Sequence, residues 1–299
     1  MNNINICFTC DNTYSQYAGV TIASILKNAA ADDNLSFYII SYDISEDNKN
    51  KIFNLKNIKN CNITFITPAA DLFCEFEGIK TIDYLPLVSF FRLKLSSLLP
   101  NIDKVIYLDP DIIVNFSLAG LFNIDIDNYY CGGVLDINHK KLGKQINLKT
   151  ENSYINSGML LINLKKWRDE NAEKQFNECA KHYIKEIAFG DQDLINMCFD
   201  GKILILDYKW NMQVVNLCCR SEFTDKFNII HYTGSSKPWK FGSYVPLKKY
   251  YYEALKLTGW KFPNKRQRML SEICGILLYL KQYPFFIFSP NFIKALFTK

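Results

Sequence analysis

The chain lacks the features that would mark it for export or for insertion into a membrane. No stretch reaches the ~20 consecutive apolar residues that a spanning helix needs. The opening "MNNINICFTCDN" has no basic segment ahead of its apolar run, so no secretory signal is expected. Without an export signal, the ten cysteines predict reduced thiols in a cytosolic protein. Cys7 and Cys10 form a lone C-x-x-C, but on a strand they face opposite sides, which argues against a redox pair. No internal repeat or low-complexity linker interrupts the 299 residues, which are enough for one large domain or two. Nor does the body carry surplus positive charge. From Lys237 onward twelve Lys or Arg oppose two Glu, a net +10, and the remainder carries −5. A mildly acidic body therefore carries a basic, aromatic-rich tail. Nucleic acid is not an expected partner, and any anionic partner should be chosen by the tail.

What is present is an alternation. "INICFTC" reads as a strand and "AGVTIASILKNAA" as a helix. "LSFYIISYD" reads as a strand, and "SEDNKNKIFNLKNI" as a helix capped by Ser45. "NITFIT", the helical "LVSFFRLKLSSLL" and the strand "KVIYLDPDIIV" follow. Such alternation predicts helices flanking a mostly parallel sheet. Further on come strand-like "YYCGGVLDI" and "SYINSGMLLINLKKW", then a helix from about 170 to 186. The short helix "DQDLINMCF" and the strands "KILILDYKW" and "FNIIHYTG" complete the series.

The stretch "VIYLDPDIIV" puts Asp109 and Asp111 inside an apolar run. A buried charge is costly unless it is paired or coordinates a metal, and residues i and i+2 of a strand share a side. Pro110 cannot donate to a central ladder, so the strand should end at Asp109 with two carboxylates beyond it. A strand-end pair that caps the next turn is the plainer alternative. Ligands of open α/β sheets bind beyond the carboxyl ends of the strands, and Asp11, after the first strand, is expected at the same edge as Asp109.

Four clusters, "FTCDNTY", "YLDPDIIV", "FGDQDLIN" and "HYTGSSKPW", resemble glycosyltransferase family 8. "FFRLKL" and "YINSGMLLINLKKW" resemble it too, in the same order, over roughly residues 4–239. The family comprises retaining, metal-dependent enzymes typified by bacterial lipooligosaccharide galactosyltransferases and by glycogenin. The resemblance implies a metal site of Asp109, Asp111 and His231. Imidazole beside two carboxylates suits Mn²⁺ better than Mg²⁺. It also implies a uracil site at Asp11 and Tyr14, with Thr9 and Cys10 beside it. Thr13 stands where relatives often have Asn. Gly234 and Lys237 would face the diphosphate. Arg92, Asp109, Asp136, Asn156, Ser157, Asp191 and Gln192 would surround the donor sugar, with Gln192 and Asp193 as catalytic candidates on the face opposite the leaving group. Without the resemblance, Asp11 reads as an N-cap or turn residue and Arg92 as an ordinary helix-face arginine.

The expected fold is thus an α/β, GT-A type nucleotide-sugar-binding domain over residues 1–240, a Rossmann-like mixed sheet flanked by helices. A basic helical appendage would follow over 241–299. The expected activity is retaining transfer of galactose or glucose from a UDP-sugar to a hydroxyl of a glycan acceptor, lipid-linked or not. The location would be the cytoplasmic face of the membrane, with the tail on anionic lipid. A metal-dependent nucleotidyltransferase would also use paired carboxylates, but it would want a basic, glycine-rich N-terminal loop where this chain has "FTCDNTY". A catalytically silent sugar-nucleotide binder should have lost metal ligands.

Overall fold

The computed structural model describes residues 2–69, 72, 87–150, 152–184, 186–214 and 227–282. Its first half alternates as the periodicity predicts. β1 (Asn2–Thr9) leads to α1 (Ser15–Asn28), β2 (Asp33–Ile40) to α2 (Glu46–Phe53), and β3 (Asn62–Ile66) follows. Ser45 caps α2 by accepting from the Asn48 N–H at 3.3 Å, and Glu46 and Asp47 complement its N-terminal dipole. The helix expected over "LVSFFRLKLSSLL" is a 3₁₀ segment (Leu87–Lys94) running into the single α-turn of α3 (Leu95–Leu98).

The expected strand "KVIYLDPDIIV" is two strands, β4 (Lys104–Leu108) and β5 (Ile112–Val114), which belong to different sheets. Pro110 cannot donate to a ladder, so the break falls there. Next come α4 (Ala119–Phe122), β6 (Cys131–Leu135), α5 (His139–Gln145) and β7 (Ile155–Asn163). The last part holds α6 (Leu164–Asp169), α7 (Ala172–His182), α8 (Asp191–Cys198), β8 (Ile203–Ile205), β9 (Met212–Gln213) and β10 (Ile229–His231). It closes with α9 (Lys248–Leu255) and α10 (Lys265–Gln282).

Seven strands form the main sheet in the order β3-β2-β1-β4-β7-β6-β8. The sheet is mixed: β7 runs antiparallel to both neighbours, β4 and β6, while the other pairs are parallel. A second sheet, β5-β10-β9, sits beside it, with β10 antiparallel to β5. Alternation along β4 sends Ile106 and Leu108 into one apolar cluster and Val105 and Tyr107 into another on the opposite face. Cys7 and Cys10 likewise fall into opposite clusters, and burial pushes both thiols' pKa up.

The packing runs through the boundary expected at 240/241. Tyr251, Ala254 and Leu255 of α9 share a buried cluster with Val20, Ile113, Met212 and Ile230. Trp260 lies against α1, where a Cβ on Gly19 would stand 2.3 Å from its ring, and its Nε1 donates to Asn48 Oδ1 at 3.2 Å. Residues 283–299 of the expected tail lie outside the described residues. Among the described residues no helix is long and apolar enough to cross a membrane.

Candidate active site

A cavity of about 380 Å³ opens beyond the carboxyl ends of β1 and β4. Every sequence-predicted site residue lines it except Thr13, which is exposed on the turn after β1, and Asp193. The Asp109–Asp111 turn is held from α1: Thr21 Oγ1 lies 2.9 Å from the Pro110 carbonyl oxygen and 2.7 Å from that of Ile112. Asp109 continues the β4–β7 ladder by donating its N–H to the Gly158 carbonyl at 2.8 Å. The antiparallel pairing of β10 with β5 sets His231 opposite Ile112, beside Asp111.

Asp109, Asp111 and His231 bring three ligand atoms within 4.8 Å of one another. Asp109 Oδ1 accepts from Arg92 Nη2 and Tyr107 Oη, both at 2.9 Å. Its Oδ2 faces His231 Nε2 at 3.9 Å. Asp111 Oδ2 pairs with Lys237, whose Nζ also donates to the Tyr232 carbonyl at 2.7 Å. Burial pushes the Asp111 carboxyl upward, but Lys237 and His231 together outweigh it and hold the group well below the usual carboxylate range. Asp111 Oδ1 is buried with no hydrogen-bond donor among the described residues, although His231 Nε2 stands 3.2 Å away. An orphaned carboxylate oxygen, a second carboxylate and an imidazole nitrogen make a donor set that fits a divalent cation of the Mn²⁺ or Mg²⁺ kind.

The other end of the cavity is a closed polar network. Arg92, buried, bridges Asp109 at 2.9 Å and Asp191 at 3.0 Å, and its Nη1 donates to the Ser157 carbonyl at 2.7 Å. Burial would depress its pKa, but the two carboxylates more than offset that. Burial raises the Asp191 carboxyl, with Arg92 opposing.

Gln192 uses all four of its amide positions. Oε1 accepts from Ser157 N–H at 3.0 Å and Asn156 Nδ2 at 3.1 Å. Nε2 points at Tyr154 Oη at 3.1 Å and Asp136 Oδ2 at 3.4 Å. Asn156 is equally occupied: it accepts from Gly158 N–H (3.1 Å) and Asn211 Nδ2 (3.0 Å) and donates to Asp136 Oδ2 (3.2 Å) and Gln192.

Asp193, expected as a second catalytic candidate, stands one layer back. Its Oδ2 accepts from the N–H groups of Ala188 (2.8 Å) and Phe189 (2.7 Å), and Oδ1 from Tyr154 Oη (2.5 Å). It is 1% exposed. With both oxygens occupied away from the cavity, it braces Gln192 through Tyr154.

At the end expected to take the nucleotide, Asp11 Oδ1 accepts the Tyr14 N–H at 2.7 Å, so the turn reading of Asp11 holds while the residue also faces the cavity. Thr9 Oγ1 lies 2.9 Å from Tyr107 Oη, and Cys10 is buried in the wall. Tyr14 stands edge-on to Trp239, which stacks on Tyr17 at 3.7 Å between ring centroids. Gly234 has φ +75°, a conformation glycine adopts at least cost.

Several wall residues escaped sequence reasoning: Lys240, Gln213, Ile137, Leu142 and Phe189. Lys240 and Phe189 had local cues, beside "SSKPW" and at the head of "FGDQDLIN".

The family profile described as "Glycosyl transferase family 8" matches residues 5–242. The chain belongs to that family. A Haemophilus influenzae protein named as a glycosyltransferase is 34% identical over 249 residues, 79% of this chain and 73% of that protein. The lipopolysaccharide 1,2-glucosyltransferase of Escherichia coli K12 is 25% identical, with 98% of this chain and 88% of the enzyme covered. Among solved structures, the galactosyltransferase LgtC in complex with donor and acceptor sugar analogs superposes with a TM-score of 0.76 at 26% identity. The match covers 89% of this chain and 100% of LgtC. The family 8 chain is accordingly a glycosyltransferase with the GT-A fold.

Proposed function

We propose that the protein is a retaining, Mn²⁺-dependent hexosyltransferase, with galactose or glucose moving from UDP to a hydroxyl of a lipopolysaccharide-type surface glycan. The observation that carries this reading is the meeting, in one cavity, of the Asp109–Asp111–His231 donor set with the Arg92–Asp191–Gln192 network. The names of the lipopolysaccharide glucosyltransferase and of LgtC support the donor and acceptor classes.

In this reading Asp109, Asp111 and His231 would hold the metal ion, which would supply charge neutralisation for a departing diphosphate. Lys237, already turned into the site on Asp111, adds a positive charge at the same place. Arg92 keeps Asp109 and Asp191 aligned across the donor sugar. Gln192, with both amide ends engaged, offers a fixed dipole to the oxocarbenium-like centre and is a poor nucleophile. With Asp193 braced behind it, no free carboxylate among the described residues stands ready for a double displacement, which supports front-side attack. The acceptor oxygen then bonds the anomeric carbon on the face the diphosphate leaves, and its proton passes to the departing phosphate oxygen.

A nucleotidyltransferase is disfavoured because the loop after β1 carries Asp11 where a triphosphate would need cations. A silent binder is disfavoured because all three candidate ligands are present. The test is a donor screen: Mn²⁺, each common UDP-sugar and truncated lipopolysaccharide acceptors, with UDP release measured and the anomeric configuration read by NMR. Release from no UDP-hexose, or a β-linked product from an α-linked donor, defeats the reading.

A further inference from the structure

Only an imidazole nitrogen without a proton can ligate a metal, so His231 must keep its proton on Nδ1 if Nε2 is to serve. Nδ1 lies 2.9 Å from Asn211 Oδ1. The direction of that contact follows from a chain of bonds that begins at the main chain. Gly158 N–H can only donate, and it points at Asn156 Oδ1 at 3.1 Å. That contact fixes Asn156 with its oxygen toward Gly158. The Asn211 group 3.0 Å from the same oxygen must then be its NH₂, which leaves the Asn211 oxygen facing His231. An amide oxygen only accepts, so Nδ1 donates and carries the proton. In the neutral ring this leaves the lone pair on Nε2, which faces Asp111 Oδ1 (3.2 Å) and Asp109 Oδ2 (3.9 Å).

Reversing Asn156 would set its NH₂ against Gly158 N–H and its oxygen against Asp136 Oδ2 and Gln192 Oε1. Donor would meet donor and acceptor would meet acceptor. Nor can water rescue a flipped amide easily, since Asn211 is 0% exposed and Asn156 8%.

We infer that Asn211 is a positioning residue for the metal centre: through the relay Gly158 N–H, Asn156, Asn211, it holds His231 in the tautomer and ring orientation that free Nε2 for a divalent cation. The inference rests on the metal reading above, and it gives Asn156 a second duty beside the donor-sugar wall. Partners of this kind typically change metal affinity by about 10–100-fold when removed.

The test uses the full chain and Mn²⁺ alone. Asn211→Leu should weaken Mn²⁺ binding by about tenfold or more in a titration. Asn211→Asp keeps an acceptor for Nδ1–H but sets its other oxygen against Asn156 Oδ1, so it should recover only part of the affinity that Asn211→Leu loses. Independently, long-range ¹H–¹⁵N NMR of the metal-free parent should report the Nδ1–H tautomer for His231. The chain has three histidines, so assignment by His231→Ala is direct. An Nε2–H tautomer in the parent, or full Mn²⁺ affinity in Asn211→Leu, overturns the inference, and the NMR arm stands even if the leucine variant does not fold. Mn²⁺ affinity unchanged by His231→Ala would defeat the metal reading instead, so the two failures are distinguishable.

Discussion

The imidazole of His231 lies so close to Gly158 that a Cβ there would stand 2.2 Å from Cε1 and 2.9 Å from Nε2. The same methyl would meet Asp109 Oδ2 at 2.7 Å. Glycine at 158 therefore allows β7 to approach two of the candidate ligands at once. Gly158→Ala should cost about 1–3 kcal/mol of stability, read by urea unfolding, through overpacking. It should also weaken Mn²⁺ binding by about tenfold or more as His231 is displaced. Parental affinity in this variant would mean that His231 does not ligate.

The glycine was visible in the sequence as part of "YINSGMLLINL", yet nothing local gives the reason for it. That holds for much of the site. The D-P-D turn, the strand-ending His231 and the α8 opening were legible because proline, strand periodicity and polar interruptions are local signals. The β7 reversal was not, because an antiparallel strand carries the same alternation as a parallel one. Asn211 was also invisible, since its role depends on atoms from residues 156, 158 and 231. Thr13 and Asp193 were drawn in by the family resemblance, but their side chains do not line the cavity.

Metal removal is the second prediction. EDTA should abolish transfer, and Mn²⁺ should restore it. Asp109→Asn, Asp111→Asn and His231→Ala should each leave little activity, with the fold intact by circular dichroism. Asparagine is the better replacement at 111, because its amide oxygen can still accept from Lys237, 8% exposed, whereas alanine would leave the buried ammonium with neither carboxylate nor a substitute acceptor there. Breaking a buried pair that way costs about 3–5 kcal/mol and would confuse unfolding with lost chemistry. Undiminished turnover in EDTA overturns the metal assignment.

A third concerns the nucleotide. Asp11 faces the cavity beside Tyr14 with one oxygen already held by the turn. UDP should bind with Mn²⁺, and GDP should bind at least about tenfold more weakly, a difference of about 1.4 kcal/mol. Titration calorimetry with both nucleotides decides it, and equal affinities would remove the uracil site.

Gln192→Ala separates transition-state support from simple binding. Turnover should fall by about tenfold or more, while the donor KM stays within about threefold. The truncation also leaves Ser157 N–H and Asn156 Nδ2 short of an acceptor, so about 1–3 kcal/mol of stability should go with it. A raised KM with unchanged kcat would make Gln192 a donor-binding residue only.

The last prediction concerns α10, which docks by one side. Ser271 Oγ accepts the Gly242 N–H at 3.0 Å, and a Cβ on Gly275 would meet the Ser243 and Tyr244 backbone at 2.8 Å. On the far side Met269, Leu270, Ile273 and Leu277 are all exposed and fall within an arc of ~100°. Lys261, Lys265 and Arg266, all exposed, sit at the N-terminal approach to this face. An apolar stripe flanked by cations suits a helix lying in the plane of an anionic bilayer surface. Each of these cations near such a surface is worth about 1 kcal/mol, enough together for reversible docking. Because Trp260 is anchored against Gly19 and Asn48, removal of residues 261–299 should leave the catalytic body folded. Full-length protein should co-sediment with liposomes containing phosphatidylglycerol, lose binding as salt rises, and ignore neutral liposomes. The truncated chain should stay in the supernatant yet still turn over a soluble acceptor. Equal sedimentation of the two would assign α10 a structural role, and Leu277→Glu, which spares the buried side of the helix, should reproduce the loss if the apolar face is what docks.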